Sequence, residues 1–105
     1  MLTLQKDLLK CFSYISFLIE LSKGNKLSGY DVVVHVKKFG GEVSPGTVYH
    51  QIHRFEKIGL IKGIQAVSGK TVYELTDEGM KAFKEFKVKW RKPTQYIYQN
   101  LMNNQ

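Results

Sequence analysis

From about Leu4 to Lys23 apolar residues recur at helical spacing, with Leu8, Cys11, Phe12, Ile15, Leu18 and Ile19 on one stripe. Leu9, Tyr14, Phe17 and Leu21 make most of the remaining circumference apolar as well. A helix that is apolar nearly all round has to be covered on two sides. In a chain of 105 residues the second cover is expected from another subunit, with the chain's own C-terminal segment as the alternative.

The segment KGNKL, residues 23 to 27, reads as a turn. In the following SGYDVVVHVKKFGG, Ser28 and Asp31 have the spacing of a capping box, while Val32, Val33, Val34 and Val36 favour a strand. The cap and the Gly40-Gly41 stop decide for a helix over about 29 to 39. In SPGTVYHQIHRFEKIGLI, Ser44 is a good N-cap, and Pro45 falls at the first helical position, where a missing N–H costs nothing. Val48, Ile52 and Phe55 face inward at i, i+4 and i+7, and Gly59 ends the helix. LIKGIQAV and TVYEL read as two strands around SGK. Val72 and Leu75 do not share a face, so the hairpin is expected either to bulge or to be covered on both sides. Thr76 caps a last helix with Met80, Phe83, Phe86 and Trp90 on its apolar stripe. Pro93 is expected to interrupt it, leaving TQYIYQNLMNNQ as a final turn or two or a frayed tail.

The order is helix, helix, helix, hairpin, helix: an α+β fold, mostly α, laid out as a winged helix-turn-helix with three helices, a two-stranded wing and a C-terminal dimerisation helix. The expected division is residues 1–92 as the DNA-binding domain with its N-terminal helix, and 93–105 as a tail or short helix contributing to the dimer.

Hydrophobic content is 43% and charged content 24%, ordinary for a soluble globular protein. The net charge of +7 points towards a polyanion or an anionic surface, and residues 81 to 105 alone hold +5 of it. The lone cysteine, Cys11, excludes an intrachain disulfide, fits a reducing compartment and is expected to be a small buried hydrophobe. CFSYISFLIEL is broken by Glu20, has no small-x-small cleavage site after it, and is too short to span a membrane. The chain is therefore read as soluble and cytoplasmic, with no membrane partner.

LSGYDVVVHV, VSPGTVYHQIHRFEKIGLI and GKTVYELTDEGMKAF together resemble PadR-type transcriptional regulators over about residues 8 to 86. The resemblance implies a dimeric winged-helix DNA-binding repressor, with residues 45–58 as the recognition helix and Ser68-Gly69-Lys70 as the wing tip. It also implies that the first and last helices form the dimer, through Leu9, Phe12, Phe17, Phe83, Phe86, Trp90, Ile97 and Leu101. Here His50 stands where many relatives carry proline, the wing is short, and the long C-terminal helical region of larger members is missing.

On the recognition helix Thr47, His50, Gln51 and Arg54 share one face, opposite Val48, Ile52 and Phe55. Any surface helix has a polar face. This one also suits the major groove, where Arg pairs with guanine, Gln with adenine and a Thr methyl meets that of thymine. Ser44 and the N–H groups of Gly46 and Thr47 suit a phosphate. Tyr49 either reaches a phosphate or packs beneath the helix. Lys70 and Lys62 on the wing, and Lys23 and Lys26 in the loop before the second helix, are further phosphate candidates, which position a protein without reading sequence. His35, His50 and His53 lack a metal-ligand pattern, and no nucleophile–base set or phosphate loop is present, so no metal, cofactor or enzymatic activity is expected. The basic run KAFKEFKVKWRK reads first as a solvated face and second as another nucleic-acid contact. The aromatic group Phe83, Phe86, Trp90, Tyr96 and Tyr98 reads first as dimer core and second as a seat for a small aromatic effector between subunits. The expected function is a homodimeric, sequence-specific regulator of transcription on double-stranded DNA. Its rivals are an architectural DNA binder of low specificity and a winged-helix protein-interaction module.

Overall fold

The computed structural model describes residues 3–103. Its elements are α1 (Thr3–Ser22), α2 (Gly29–Lys37), α3 (Pro45–Lys57), β1 (Ile61–Gln65), β2 (Thr71–Leu75) and α4 (Asp77–Asn103). This is the expected mostly helical winged helix-turn-helix order. Among the described residues no helix is long and apolar enough to cross a membrane.

Local signals set most boundaries. Ser28 and Asp31 form the reciprocal capping box, which outweighs the strand preference of the valines and lets Val32 and Val36 enter the core one turn apart. At the other end of α3, Gly59 adopts φ +82°, a conformation costly for residues with a Cβ, and turns the chain into β1. The Thr76 hydroxyl donates to the Gly59 carbonyl at 2.6 Å and accepts the Gly79 N–H at 2.9 Å, tying the start of α4 to the end of α3. The wing is an antiparallel pair in continuous register from Ile61↔Leu75 to Gln65↔Thr71. It has no bulge; instead Val72 to Leu75 are all half-buried, so both faces of β2 are partly covered. Leu27 bridges to Tyr73 through two backbone hydrogen bonds of 3.3 and 2.8 Å, holding the wing against the loop before α2.

The core joins Phe17 and Leu21 of α1 to Val32 and Val36 of α2, Val48, Ile52 and Phe55 of α3, and Ile61 of β1. Three expectations are corrected here. The buried face of α1 is Ser13, Ser16, Phe17 and Leu21, while Leu8, Ile15 and Ile19 of the expected stripe are exposed. Small serines let α3 approach closely where larger side chains would hold it off. Cys11 lies on the outward face and is exposed, not buried. Pro93 does not interrupt α4, which runs through it to Asn103. A proline withdraws only its own N–H from the ladder. The carbonyl that loses it belongs to Lys89, which is exposed to solvent. Residues 104 and 105 of the expected tail lie outside the described residues.

The dimer expectation also changes. Phe17 is only 2% exposed within its own chain. Leu9 and Phe12 pack against the same core, with Phe12 stacked on His35 and edge-on to Phe39. Phe83 is buried as well. Phe17 and Phe83 are thus buried by their own chain and Leu9 and Phe12 half-buried, and of the eight residues expected at the dimer Phe86, Trp90, Ile97 and Leu101 are exposed.

Candidate nucleic-acid interface

Helix α3 begins on Ser44, whose side-chain oxygen accepts the Thr47 N–H at 3.1 Å and donates to the Thr47 hydroxyl at 2.9 Å. Pro45 has no N–H, and the Val48 N–H goes to the Ser44 carbonyl. The open donor of this first turn is therefore Gly46 alone, not Gly46 and Thr47 together as the sequence suggested.

The polar face of α3 divides. His50 and Arg54 are exposed and Thr47 is half-buried beside them. Gln51 turns inward and is only 3% exposed. Its amide oxygen accepts the Ser13 hydroxyl at 2.9 Å, and its amide nitrogen donates to the Lys10 carbonyl at 3.3 Å. Both ends of Gln51 are thus engaged by α1, and it leaves the set of candidate base readers. Helical spacing put Gln51 near His50 and Arg54; a partner 38 positions away decided which way it points.

Arg54 leans towards α1. Its Nη1 donates to the Tyr14 hydroxyl at 3.1 Å, and its guanidinium carbon is 6.0 Å from the centre of the Tyr14 ring. Lys10, Tyr14, Gly46, Thr47, His50 and Arg54 line one groove between α1 and α3. Lys10 and Tyr14 were not singled out from the sequence. The available signal was their i, i+4 spacing, which puts two polar-tipped side chains on one face of an otherwise apolar helix.

Tyr49, which had two readings, projects outward from α3 over the start of α2. A Cβ on Gly29 would stand 2.6 Å from the Tyr49 ring, so glycine is what allows this approach. Tyr49, Tyr30, Tyr73 and the wing residue Lys70 surround a second groove. Burial, followed by the negative charge of Glu56, raises the pKa of the Tyr73 phenol above its ordinary value, so it stays protonated.

The wing and loop lysines are not free charges. Lys70 lies 3.9 Å from Asp31, and Lys62 and Lys26 converge on Glu74 at 3.4 and 3.9 Å. Lys23 pairs with Glu20 at 3.0 Å, and its hydrogen bond holds the Glu20 carboxyl below the usual carboxylate range. Among the described residues no three His, Cys, Asp or Glu side chains are placed to share a metal.

Elsewhere α1 and α4 flank a mostly apolar groove of about 680 Å³, lined by Ile15, Ile19, Phe83, Phe86 and Trp90 and edged by Lys84, Lys87 and Arg91. Phe86 stacks on Phe83 at 6.3 Å and meets Trp90 at a tilt, 6.2 Å away. Beyond it Tyr96, Ile97, Tyr98 and Leu101 are well exposed.

Residues 18–85 match the model of the transcriptional regulator PadR-like family. Among solved structures, a PadR-like transcriptional regulator from Bacillus cereus strain ATCC 14579 is 27% identical with a TM-score of 0.75, over 94% of this chain and 99% of that one. A PadR family transcription regulator from Clostridium difficile R20291 is also 27% identical, with a TM-score of 0.70, over 86% of this chain and 98% of that one. PadR from Bacillus subtilis, solved in complex with operator DNA, shares the fold at 24% identity and a TM-score of 0.60, over 72% of this chain and 46% of that one. No curated protein matches the chain.

Proposed function

The chain belongs to the PadR-like family of transcriptional regulators, and we propose that it acts as a homodimeric, sequence-specific repressor that inserts α3 into the major groove of duplex DNA. The family's members are regulators and not enzymes. The observation that carries the reading is the split surface of α3. Its inner side is used up by its own chain, while Thr47, His50 and Arg54 remain on the side that lines the groove with α1. Tyr49 of α3 and Lys70 of the wing line a common groove, so helix and wing address the same face of a ligand. That a protein of this fold binds operator DNA supports the same conclusion.

In this reading the first turn of α3 approaches the backbone through the Gly46 N–H. His50 offers an imidazole N–H to a base acceptor such as guanine N7 or O6, and the Thr47 methyl offers an apolar contact to thymine. Tyr49 and Lys70 hold the flanking backbone, Lys70 exchanging its long pairing with Asp31 for a phosphate. Lys62, Lys26 and Lys23 are more distant phosphate contacts in competition with Glu74 and Glu20. A second copy covers Phe86, Trp90, Ile97 and Leu101, and the two α3 helices then read half-sites about 34 Å apart. Repression follows from the dimer occupying a promoter.

Selection from a pool of random duplexes at two salt concentrations, with wild type and His50→Ala side by side, tests the proposal. The expected result is a two-fold-symmetric motif that blurs at one position per half-site in the variant. Steeply salt-dependent binding without enrichment would replace it with an architectural role. Absence of binding at either salt would leave a protein-interaction module.

A further inference from the structure

Helix α1 brings side chains to the α3 face that the reading above has not used. Tyr14 is fixed on its inner side by an edge-on contact with Phe55 at 5.1 Å. Its hydroxyl receives the Arg54 N–H at 3.1 Å, which draws Arg54 off the crest of α3 and onto the wall of the groove. A tyrosine that accepts in this way keeps its own O–H to donate, and the guanidinium keeps its remaining N–H donors. Lys10 stands one turn before Tyr14 on the same wall and adds a second positive charge. The buried Ser13–Gln51–Lys10 hydrogen bonds pin α1 to α3 and fix the spacing of the two walls.

The electrostatics of this groove differ from those of the wing. Lys23, Lys26, Lys62 and Lys70 each lie within 4 Å of a carboxylate. Among the described residues no acidic side chain lines the α1–α3 groove, and neither Lys10 nor Arg54 is in an ion pair. Two cationic residues and a hydroxyl on one groove, with no acid in its lining, suit an oxyanion. Arg54 also lies in the last turn of α3, away from the N-terminal turns that a recognition helix turns to the bases.

We propose that Lys10, Tyr14 and Arg54 form a clamp for one backbone phosphate of the duplex, so that Arg54 positions the DNA and does not read a guanine. The clamp rests on α3 being the recognition helix. Tyr14 is a positioning residue for Arg54 as well as a donor.

The test is a set of binding titrations across a salt series, on the enriched duplex and on its single-base variants, for wild type, Arg54→Ala, Lys10→Ala and Tyr14→Phe. Arg54→Ala and Lys10→Ala are expected to weaken binding roughly tenfold on every duplex, leaving the order of preference intact. Each should flatten the log–log salt slope by about one. Tyr14→Phe keeps the ring on Phe55 and is expected to weaken binding several-fold on all duplexes with the slope unchanged, because no charge is lost. If Arg54→Ala relaxes preference at a single base position and leaves the salt slope intact, Arg54 is a base reader and the clamp is wrong. Unaltered binding by Lys10→Ala overturns it equally. If wild type binds no duplex, the recognition reading falls first and takes the clamp with it, a result distinct from the other two.

Discussion

Helix α3 has 13 residues and buries Val48, Gln51, Ile52 and Phe55 against its own chain, whereas α4 has 27 and buries only Gly79 and Phe83. What α3 leaves exposed is polar apart from Pro45 and the hydroxyl-tipped Tyr49; what α4 leaves exposed includes Phe86, Val88, Trp90, Ile97 and Leu101. Burial of apolar surface is the dominant favourable term in folding and association, so an outward apolar helix implies a covering partner and an outward polar one does not. Under the proposed function the two helices divide the work: α3, packed within the monomer, would meet DNA, and α4 would be completed by a second copy.

Deleting side chains on the two helices should break this contrast in opposite ways. Ile52→Ala opens a cavity in the core and is expected to cost about 2–5 kcal/mol of stability, read by denaturant unfolding at any protein concentration. Trp90→Ala should instead weaken association by about 2 kcal/mol or more, as expected of a central aromatic at an interface. Sedimentation across a dilution series reads that loss, and a fall in stability independent of concentration would place Trp90 in the monomer core. Gln51→Ala sharpens the boundary within α3: it takes the acceptor from the buried Ser13 hydroxyl and should cost about 1–3 kcal/mol. A Gln51→Ala protein of unchanged stability but altered base preference would restore Gln51 to the outer face. Ser44→Ala removes the cap of α3 and should cost about 1 kcal/mol, seen as a lowered unfolding midpoint with α4 unaffected.

The same contrast explains what could be read from the sequence. Caps and stops act within a few residues, so Ser28 with Asp31, Ser44 with Pro45, and Gly59 set helix limits that the structure keeps. The winged order follows from them. Orientation around a helix axis was less legible. In α1 almost every face is apolar, and the side turned inward is chosen by Ser13 and Ser16, which are small enough for close packing and carry no apolar signal. Gln51 has the polarity of a surface residue, and its burial rests on two distant partners in α1, Ser13 and the Lys10 carbonyl. Phe17 and Phe83 read as interface because their neighbours are apolar, yet the monomer buries them itself. At Pro93 a local rule about broken helices met an exposed segment in which one lost hydrogen bond is tolerable. The basic pair in the α1–α3 groove needed two helices to be docked before it existed at all.

Side-chain footprinting with hydroxyl radicals, read residue by residue, tests the division of labour most directly. The enriched duplex should protect Tyr49, His50 and Tyr14 and leave Trp90 and Ile97 as they were, while raising protein concentration alone should protect Phe86, Trp90, Ile97 and Leu101. Protection of α4 by DNA with His50 and Tyr49 still open would contradict the account, because the duplex would then lie on the face assigned to the second copy.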